Sequence, residues 1–308
     1  MPHVVSASRR TDIPAFYTPW LLGRLEAGFC EVANPFFRSQ VRTVSLRPED
    51  VLGIVFWTKN PRPLLPHLPD LLGRGYRCAV QFTINPYDHV FERAVLPADR
   101  AVEAALALSE LLGAQRVVWR YDPIVECDLT PWAWHLEQFE ALASQLGGRV
   151  REVIISFANL YQRTRRRMDR LAVEHGFNYR FYGTQPEQTA LSAHGRAYEP
   201  EEMRQQAAEL GGIARRYGLR LASCCGEAIV DPAANVLRAH CIEPDLLGLS
   251  RLPAKPTREQ CGCCQSIDIG AYETCPHGCG ASYCYAVASH EKAVANCRAH
   301  DPSAPRLG

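Results

Sequence analysis

Thirteen cysteines in 308 residues carry the most visible chemistry of this sequence, and they are unevenly placed. Three of them, Cys30, Cys78 and Cys127, precede residue 224, and the other ten fall between Cys224 and Cys297. Within that run Cys275, Cys279 and Cys284 follow the spacing C-x3-C-x4-C, and Pro276, Gly278 and Gly280 between them favour a tight loop. Three thiolates on one loop suit three corners of a cubic [4Fe–4S] cluster and leave the fourth iron open to an exogenous ligand. The same gaps suit a structural zinc, with His277 or His290 completing a tetrahedron. The segment Met1–Arg10 has no signal-peptide core, so the chain is expected to be cytoplasmic. In that compartment a thiol cluster of this density reads as a metal or redox site rather than a disulfide scaffold.

Charged residues form the second set. Lys59 is the first of only three lysines among 34 basic residues, and it follows the apolar run ending in Phe56-Trp57-Thr58. A compact ammonium at such a place fits an anion contact or an acid–base group. Other apolar runs also end in polar residues: Arg9, Arg10 and Asp12; Thr83 and Asn85; Arg120 and Asp122; Ser156 and Asn159; Cys224, Cys225 and Glu227. We expect Lys59, Arg120 and Asp122 in catalytic roles. Arg9, Arg10, Asp12, Asn85 and Glu227 are expected to contact a cofactor, and the charges suggest a polar or anionic small-molecule substrate. Ion pairing at a rim is the commoner explanation for single residues of this kind, and only the set of them points to a site.

The elements that must position these residues are legible as hydrophobic pattern. Val4–Arg9, Ile54–Thr58, Ala79–Ile84, Arg116–Tyr121, Val153–Phe157 and Leu219–Cys224 are short runs with little alternation, as strands covered on both faces are. Helical patterns near 14–28, 62–73, 88–112, 131–147, 162–175 and 199–217 separate them. Six βα units in series predict an α/β protein with a parallel (β/α) barrel, partial in extent; a doubly wound sheet is the alternative. In either, the strand carboxyl ends share one mouth. The segment 31–48 predicts a hairpin or short extra strands, and 183–200 a long loop. From about 229 the pattern gives way to a loop-rich, cysteine-rich tail, so the expected division is a barrel over 1–228 and a metal-binding tail over 229–308 packed on its mouth.

Composition excludes several classes. Hydrophobic residues at 47% and charged residues at 22% match an ordinary globular protein. No apolar run is as long as a bilayer span, so no membrane partner is expected. A net charge of +1 argues against nucleic acid, and Arg163-Thr164-Arg165-Arg166-Arg167 on a predicted helix reads as a solvated face. Walker A, Rossmann, H-E-x-x-H and G-x-S-x-G motifs are absent.

A resemblance joins these observations. Ser6–Pro14, Phe56–Pro61, Gln81–Asn85, Arg120–Pro123, Ser223–Cys225 and the cysteine tail resemble, over nearly the whole length, the bacterial family called domain of unknown function 1848. That family's last cysteines are similar to the cluster loop of radical S-adenosylmethionine enzymes, C-x3-C-x2-C with an aromatic residue before the last cysteine. Here Cys275 and Cys279 keep the first gap and Tyr283 precedes Cys284, while the second gap is four residues. The resemblance implies a [4Fe–4S] cluster on Cys275, Cys279 and Cys284, with S-adenosylmethionine on its open iron. One-electron cleavage would then give a 5′-deoxyadenosyl radical that takes hydrogen from substrate. A reductase or ferredoxin-like electron donor would be the partner. Those enzymes carry the loop after the first strand, but a barrel closes on itself and a loop from the far end reaches the same mouth. Cys225, Cys241, Cys261 and Cys263 also match the family and imply a second cluster or a structural zinc. Cys264, Cys297 and the three early cysteines are left as structural. Two readings from other classes stay open: a metal-stabilised, non-catalytic binding protein that meets nucleic acid through the basic helix, and a non-radical enzyme using the open iron as a Lewis acid.

Overall fold

All six apolar runs predicted as strands are strands, and they lie parallel in a single sheet. The computed structural model describes residues 2–35, 37, 39–182, 192–256 and 260–307. The chain opens with β1 (His3–Ala7), α1 (Ile13–Phe16) and α2 (Thr18–Ala27), then an antiparallel hairpin of β2 (Phe29–Ala33) and β3 (Val41–Ser45). The hairpin is the extra element expected near 31–48. β4 (Val51–Thr58), α3 (Leu68–Gly73), β5 (Cys78–Thr83), α4 (Ala98–Leu112), β6 (Val117–Ile124), α5 (Trp132–Leu146), β7 (Val153–Phe157) and α6 (Gln162–His175) continue the βα series. A short parallel pair, β8 (Tyr179–Phe181) and β9 (Gly195–Ala197), precedes α7 (Pro200–Arg216) and β10 (Leu221–Ser223). Of the loop expected over 183–200, residues 183–191 lie outside the described residues, and 195–197 are strand. The last elements are β11 (Val236–Arg238), β12 (Ile267–Asp268) and α8 (His290–Ala299).

The main sheet has eight strands in the order β11-β10-β7-β6-β5-β4-β1-β12. β11 and β12 are its two edges, and among the described residues no pairing between them closes it. Both edge strands come from beyond residue 228, so the sheet runs across the expected domain division. β12 sets the register Val5 with Ile267 and Ser6 with Asp268, which brings Asp268 to the carboxyl end of β1.

The two faces of the sheet are covered differently. Val5, Ile54, Phe56, Phe82, Trp119 and Ile155 pack on the helices in the main core. Alternate residues Val4, Val55, Ala79, Val118, Ile154 and Ala222 pack instead on Ile242, Leu246, Leu247, Leu252 and buried cysteines of the tail. The tail is therefore the second layer of this sheet, which explains strand sequences apolar on both faces. Gly53 in β4 makes room for it, because a Cβ there would stand 2.8 Å from Leu247 Cδ2. Full burial of Leu247 contributes roughly 2 kcal/mol toward holding the tail in place.

Candidate functional site

In a parallel sheet every strand delivers its carboxyl end to the same side. There residues at the carboxyl ends of β1, β4, β5, β6, β7 and β10 and the cysteine tail line a cavity of about 580 Å3. Lys59, Arg120, Asp122, Arg9, Arg10 and Asp12 all line it. So do eight of the thirteen cysteines: Cys224, Cys225, Cys241, Cys261, Cys263, Cys275, Cys279 and Cys284. No disulfide links any of the thirteen. Among the described residues, no three His, Cys, Asp or Glu side chains already surround one metal-sized point.

The loop bearing Cys275, Cys279 and Cys284 is fastened at several points. Tyr17 Oη donates to the Thr274 carbonyl at 2.7 Å, and the Thr11 and Thr274 hydroxyls meet at 2.7 Å. Asp12 Oδ2 accepts from the Lys59 amide at 2.7 Å and lies 2.6 Å from His277 Nε2, while its Oδ1 caps α1 through the Ala15 amide at 3.0 Å. His277 Nδ1 faces the Ala94 carbonyl at 3.1 Å, and the Ala94 amide donates to the His277 carbonyl at 2.9 Å. The widened second gap is absorbed by a 3-10 turn over Cys279–Ala281. Buried Ser282 anchors that turn by donating to the Phe91 carbonyl at 3.0 Å, and the Cys284 amide returns to the Cys279 carbonyl at 3.0 Å. Arg167 of α6 donates to the carbonyls of Cys284 and Val287. The basic run is thus split: Arg163 and Arg166 are exposed, and Arg167 is turned inward to the cysteine loop.

Burial pushes the Cys275 thiol up to about 12, and the Asp12 carboxylate adds to the shift. Burial likewise raises Cys279, with Glu92 reinforcing and Lys59 opposing, and it raises Cys284. Without a cation among them these thiols keep their protons, and metal binding must release those protons.

Lys59 sits beside this loop, but its ammonium is already engaged. Its Nζ donates to Glu92 Oε1 at 2.8 Å and lies 5.9 Å from the centroid of the Tyr283 ring, and Tyr283 Oη donates to the same carboxylate oxygen. Burial works to lower the ammonium, but Glu92 outweighs it and the net direction is up, so Lys59 is held charged. Arg120 behaves similarly: burial opposes its charge, while Asp122 and Cys241 sustain it. Asp122 accepts from Arg120 and from the Ser156 hydroxyl.

Two expected contact residues stand elsewhere. Asn85 lies beneath the cavity wall, bonding the Asp122 amide and carbonyl at 3.0 and 3.1 Å and Glu92 at 3.2 Å. Glu227 is exposed, 3.3 Å from Arg238, and is not part of the wall. Arg10 lines the cavity but is paired with Asp268 at 3.0 Å. That aspartate also accepts from Ser6, Ser8 and the Arg9 amide at 3.0, 2.7 and 2.8 Å. Sequence reading missed both organising carboxylates. Glu92 falls in a stretch read as the start of a helix that begins only at Ala98, and Asp268 lies in a two-residue strand with too few positions to show a period.

The other five cavity cysteines gather on elements after β10. Cys224 Sγ is 3.7 Å from Cys241 Sγ and 4.0 Å from Cys225 Sγ, and the Cys263 amide donates to Cys261 Sγ at 3.4 Å. A hydrogen bond with Cys241 pulls the Cys263 thiol down to about 5 against the effect of burial, and Arg9 adds to the lowering. Cys264 is directed away, toward the Leu252 carbonyl at 3.9 Å. Cys30, Cys78 and Cys127 are buried and lie off the cavity.

A parallel α/β sheet of eight strands with a thiol-walled cavity at its carboxyl edge is the class defined by this fold and site. The chain belongs to the family described as domain of unknown function (DUF1848), whose model matches residues 4–286. None of the curated proteins and none of the solved structures compared matches it. Among the described residues, no helix is long and apolar enough to cross a membrane.

Proposed function

We propose that this protein is an iron–sulfur enzyme of the radical S-adenosylmethionine type, with a [4Fe–4S] cluster on Cys275, Cys279 and Cys284. The observation that carries the reading is that one fastened loop offers three cysteines to the cavity where the strand ends converge. The residues fit the group. The thiols are soft ligands, Cys279 buried and Cys275 and Cys284 half-buried, the turn over Cys279–Ala281 brings the chain from Cys284 back to Cys279, and Lys59 offers positive charge beside a site that turns anionic when loaded. When bound, such a cluster supplies one-electron chemistry on a ligand of its open iron, S-adenosylmethionine in the enzymes it resembles.

The chain's own residues supply the setting. Asp12 and Arg167 fix the loop against the sheet. The Lys59–Glu92–Tyr283 network keeps a charged ammonium beside Cys279, able to meet an anionic group. Arg10 and Arg120 are paired with Asp268 and Asp122 on the wall, while Arg9 has no carboxylate partner among the described residues, and this mixed charge suits a polar or anionic small molecule. A reductase or ferredoxin-like protein would deliver the electron.

The test is iron, acid-labile sulfide and zinc content of protein purified without oxygen, beside a Cys275/Cys279/Cys284→Ala variant. This is followed by 5′-deoxyadenosine formation from S-adenosylmethionine under a strong reductant. Loss of about four irons with matching sulfide in the variant is the expected result, together with nucleoside release by the parent only. Stoichiometric zinc without sulfide would overturn the reading in favour of a metal-stabilised binding protein. A complete cluster that leaves S-adenosylmethionine intact would replace radical chemistry by Lewis-acid chemistry at the open iron.

A further inference from the structure

The cavity holds five more cysteines than that cluster uses. Cys224 and Cys225 follow β10, Cys241 follows β11, and Cys261 and Cys263 precede β12. Sulfur contacts run from Cys225 to Cys224 and from Cys224 to Cys241, the Cys263 amide reaches Cys261 Sγ, and all five line the one cavity. Four sulfurs around one zinc at the usual bond length stand about 3.8 Å apart, and a cubic cluster holds its ligand sulfurs farther apart. The 3.7 Å between Cys224 and Cys241 is already a spacing of neighbouring thiolate ligands.

The surroundings are built for negative charge. Arg120, 6% exposed, donates from Nη1 to Cys241 Sγ at 3.3 Å and to Gln81 Oε1 at 3.2 Å, and Gln81 Nε2 holds the Cys241 carbonyl at 2.8 Å. Arg9 lies over the Trp57 ring at 4.7 Å, and its Nη1 reaches only the hydroxyls of Ser6 and Ser266, both at 3.4 Å. Its Nη2 is buried without a hydrogen-bond partner, and among the described residues no carboxylate pairs with its guanidinium. With no carboxylate paired to this half-buried guanidinium, thiolate sulfur is the counter-charge that the cavity offers it. Four thiolates around zinc, or around an oxidised cubic cluster, are doubly negative and provide one.

We infer that Cys241, Cys261, Cys263 and one thiol of the Cys224–Cys225 pair hold a second thiolate-ligated metal centre, iron–sulfur or zinc, in the same cavity, with Arg9 balancing its charge and Arg120, itself paired with Asp122, donating to Cys241. This centre stands independently of the three-cysteine cluster. It places two metal centres on one cavity, and it makes Arg9 a partner of a centre rather than a cofactor contact and Arg120 a partner of a centre rather than a catalytic residue.

The experiment is metal and sulfide analysis of full-length protein purified without oxygen, each sample checked for folding by circular dichroism. The Cys275/Cys279/Cys284→Ala variant is expected to keep one centre, either about half of the total iron and sulfide or one zinc. Adding Cys241→Ser and Cys263→Ser to it should remove that remainder, and adding Cys264→Ser should remove nothing. Single Cys224→Ser and Cys225→Ser changes in the same background identify the fourth ligand. Iron with sulfide marks a cluster, and zinc alone marks a single ion. A folded three-cysteine variant devoid of metal overturns the inference, as does a metal content unchanged by Cys241→Ser/Cys263→Ser. If the serine variants do not fold, alkylation mapped by mass spectrometry before and after chelation of the three-cysteine variant decides it. Cys241, Cys261 and Cys263 must become reactive only after chelation, and reactivity unchanged by chelation refutes the centre. Failure of the first cluster would look different, because the three-cysteine variant would then retain the full metal content of the parent.

Discussion

Replacing Asp12 separates two roles for it, contact with a cofactor and fastening of the cysteine loop. The structure assigns both carboxylate oxygens to protein partners: the Ala15 amide at 3.0 Å on one, the Lys59 amide at 2.7 Å and His277 Nε2 at 2.6 Å on the other. Asp12→Ala removes an acceptor from the start of α1, the end of β4 and the cysteine loop together. A buried donor left unsatisfied costs about 1–3 kcal/mol, and water entering the vacated volume offsets part of it, so the expected loss is about 3–5 kcal/mol. Asp12→Asn should lose about 2 kcal/mol, since its one oxygen can serve either α1 or β4 and its amide group opposes the remaining N–H. The assay is urea unfolding under nitrogen of chelator-treated protein, paired with iron content of protein as purified. A fastening role lowers both stability and iron occupancy, in the order wild type, Asn, Ala. Wild-type stability and iron in Asp12→Ala, with only the dependence on S-adenosylmethionine concentration altered, would refute the assignment.

Three further outcomes follow from buried groups. Lys59→Met strands Glu92, whose side chain is 1% exposed, and should cost about 3–5 kcal/mol; Lys59→Met/Glu92→Gln should recover a large part, and equal unfolding midpoints for the two would disprove the coupling. His135, between Tyr121 Oη at 2.8 Å and the Val125 carbonyl at 3.1 Å, is pushed by burial from the ordinary 6.5 down to about 4. The folded state therefore favours the neutral ring, and its contribution is complete above about pH 6.5 and lost as pH falls toward 4. That loss is about 3 kcal/mol, and His135→Gln should flatten this part of the stability–pH curve, whereas parallel curves would exclude it. Gly278 has φ +85° and a Cβ there would stand 2.6 Å from Arg93 Cβ, so Gly278→Ala should lower iron occupancy. Gly176→Ala, at φ +68° with open space around it, should cost about 1 kcal/mol and leave iron unchanged; equal iron in the two variants would count against the close approach.

Helices cover Phe56, Phe82 and Trp119 on one face of the sheet, while the irregular tail lies on Val4, Val55, Ala79, Val118, Ile154 and Ala222 and comes closest at Gly53. Packed there, its cysteines stand at fixed positions on the cavity wall. The cysteine layer and the sheet are mutually dependent for burial.

What the sequence by itself determined is local. The six apolar runs specify their own strands because burial on both faces needs unbroken hydrophobic stretches, and Val153–Phe157 was legible to the residue. The spacing of Cys275, Cys279 and Cys284 on a Pro- and Gly-containing loop is likewise a property of adjacent residues. Tertiary structure alone decided the rest. β11 and β12 are three and two residues long, too short for a period, and exist because β10 and β1 offer them unpaired edges. Asp12 reads as a rim carboxylate until His277, 265 residues away, is placed against it. Lys59 acquires its state from Glu92, and Arg9 lacks a carboxylate because Asp268 is taken by Arg10 and by hydroxyl and amide donors. Which charge meets which is set by through-space distance across the sheet, and that distance is not encoded in any window of neighbouring residues.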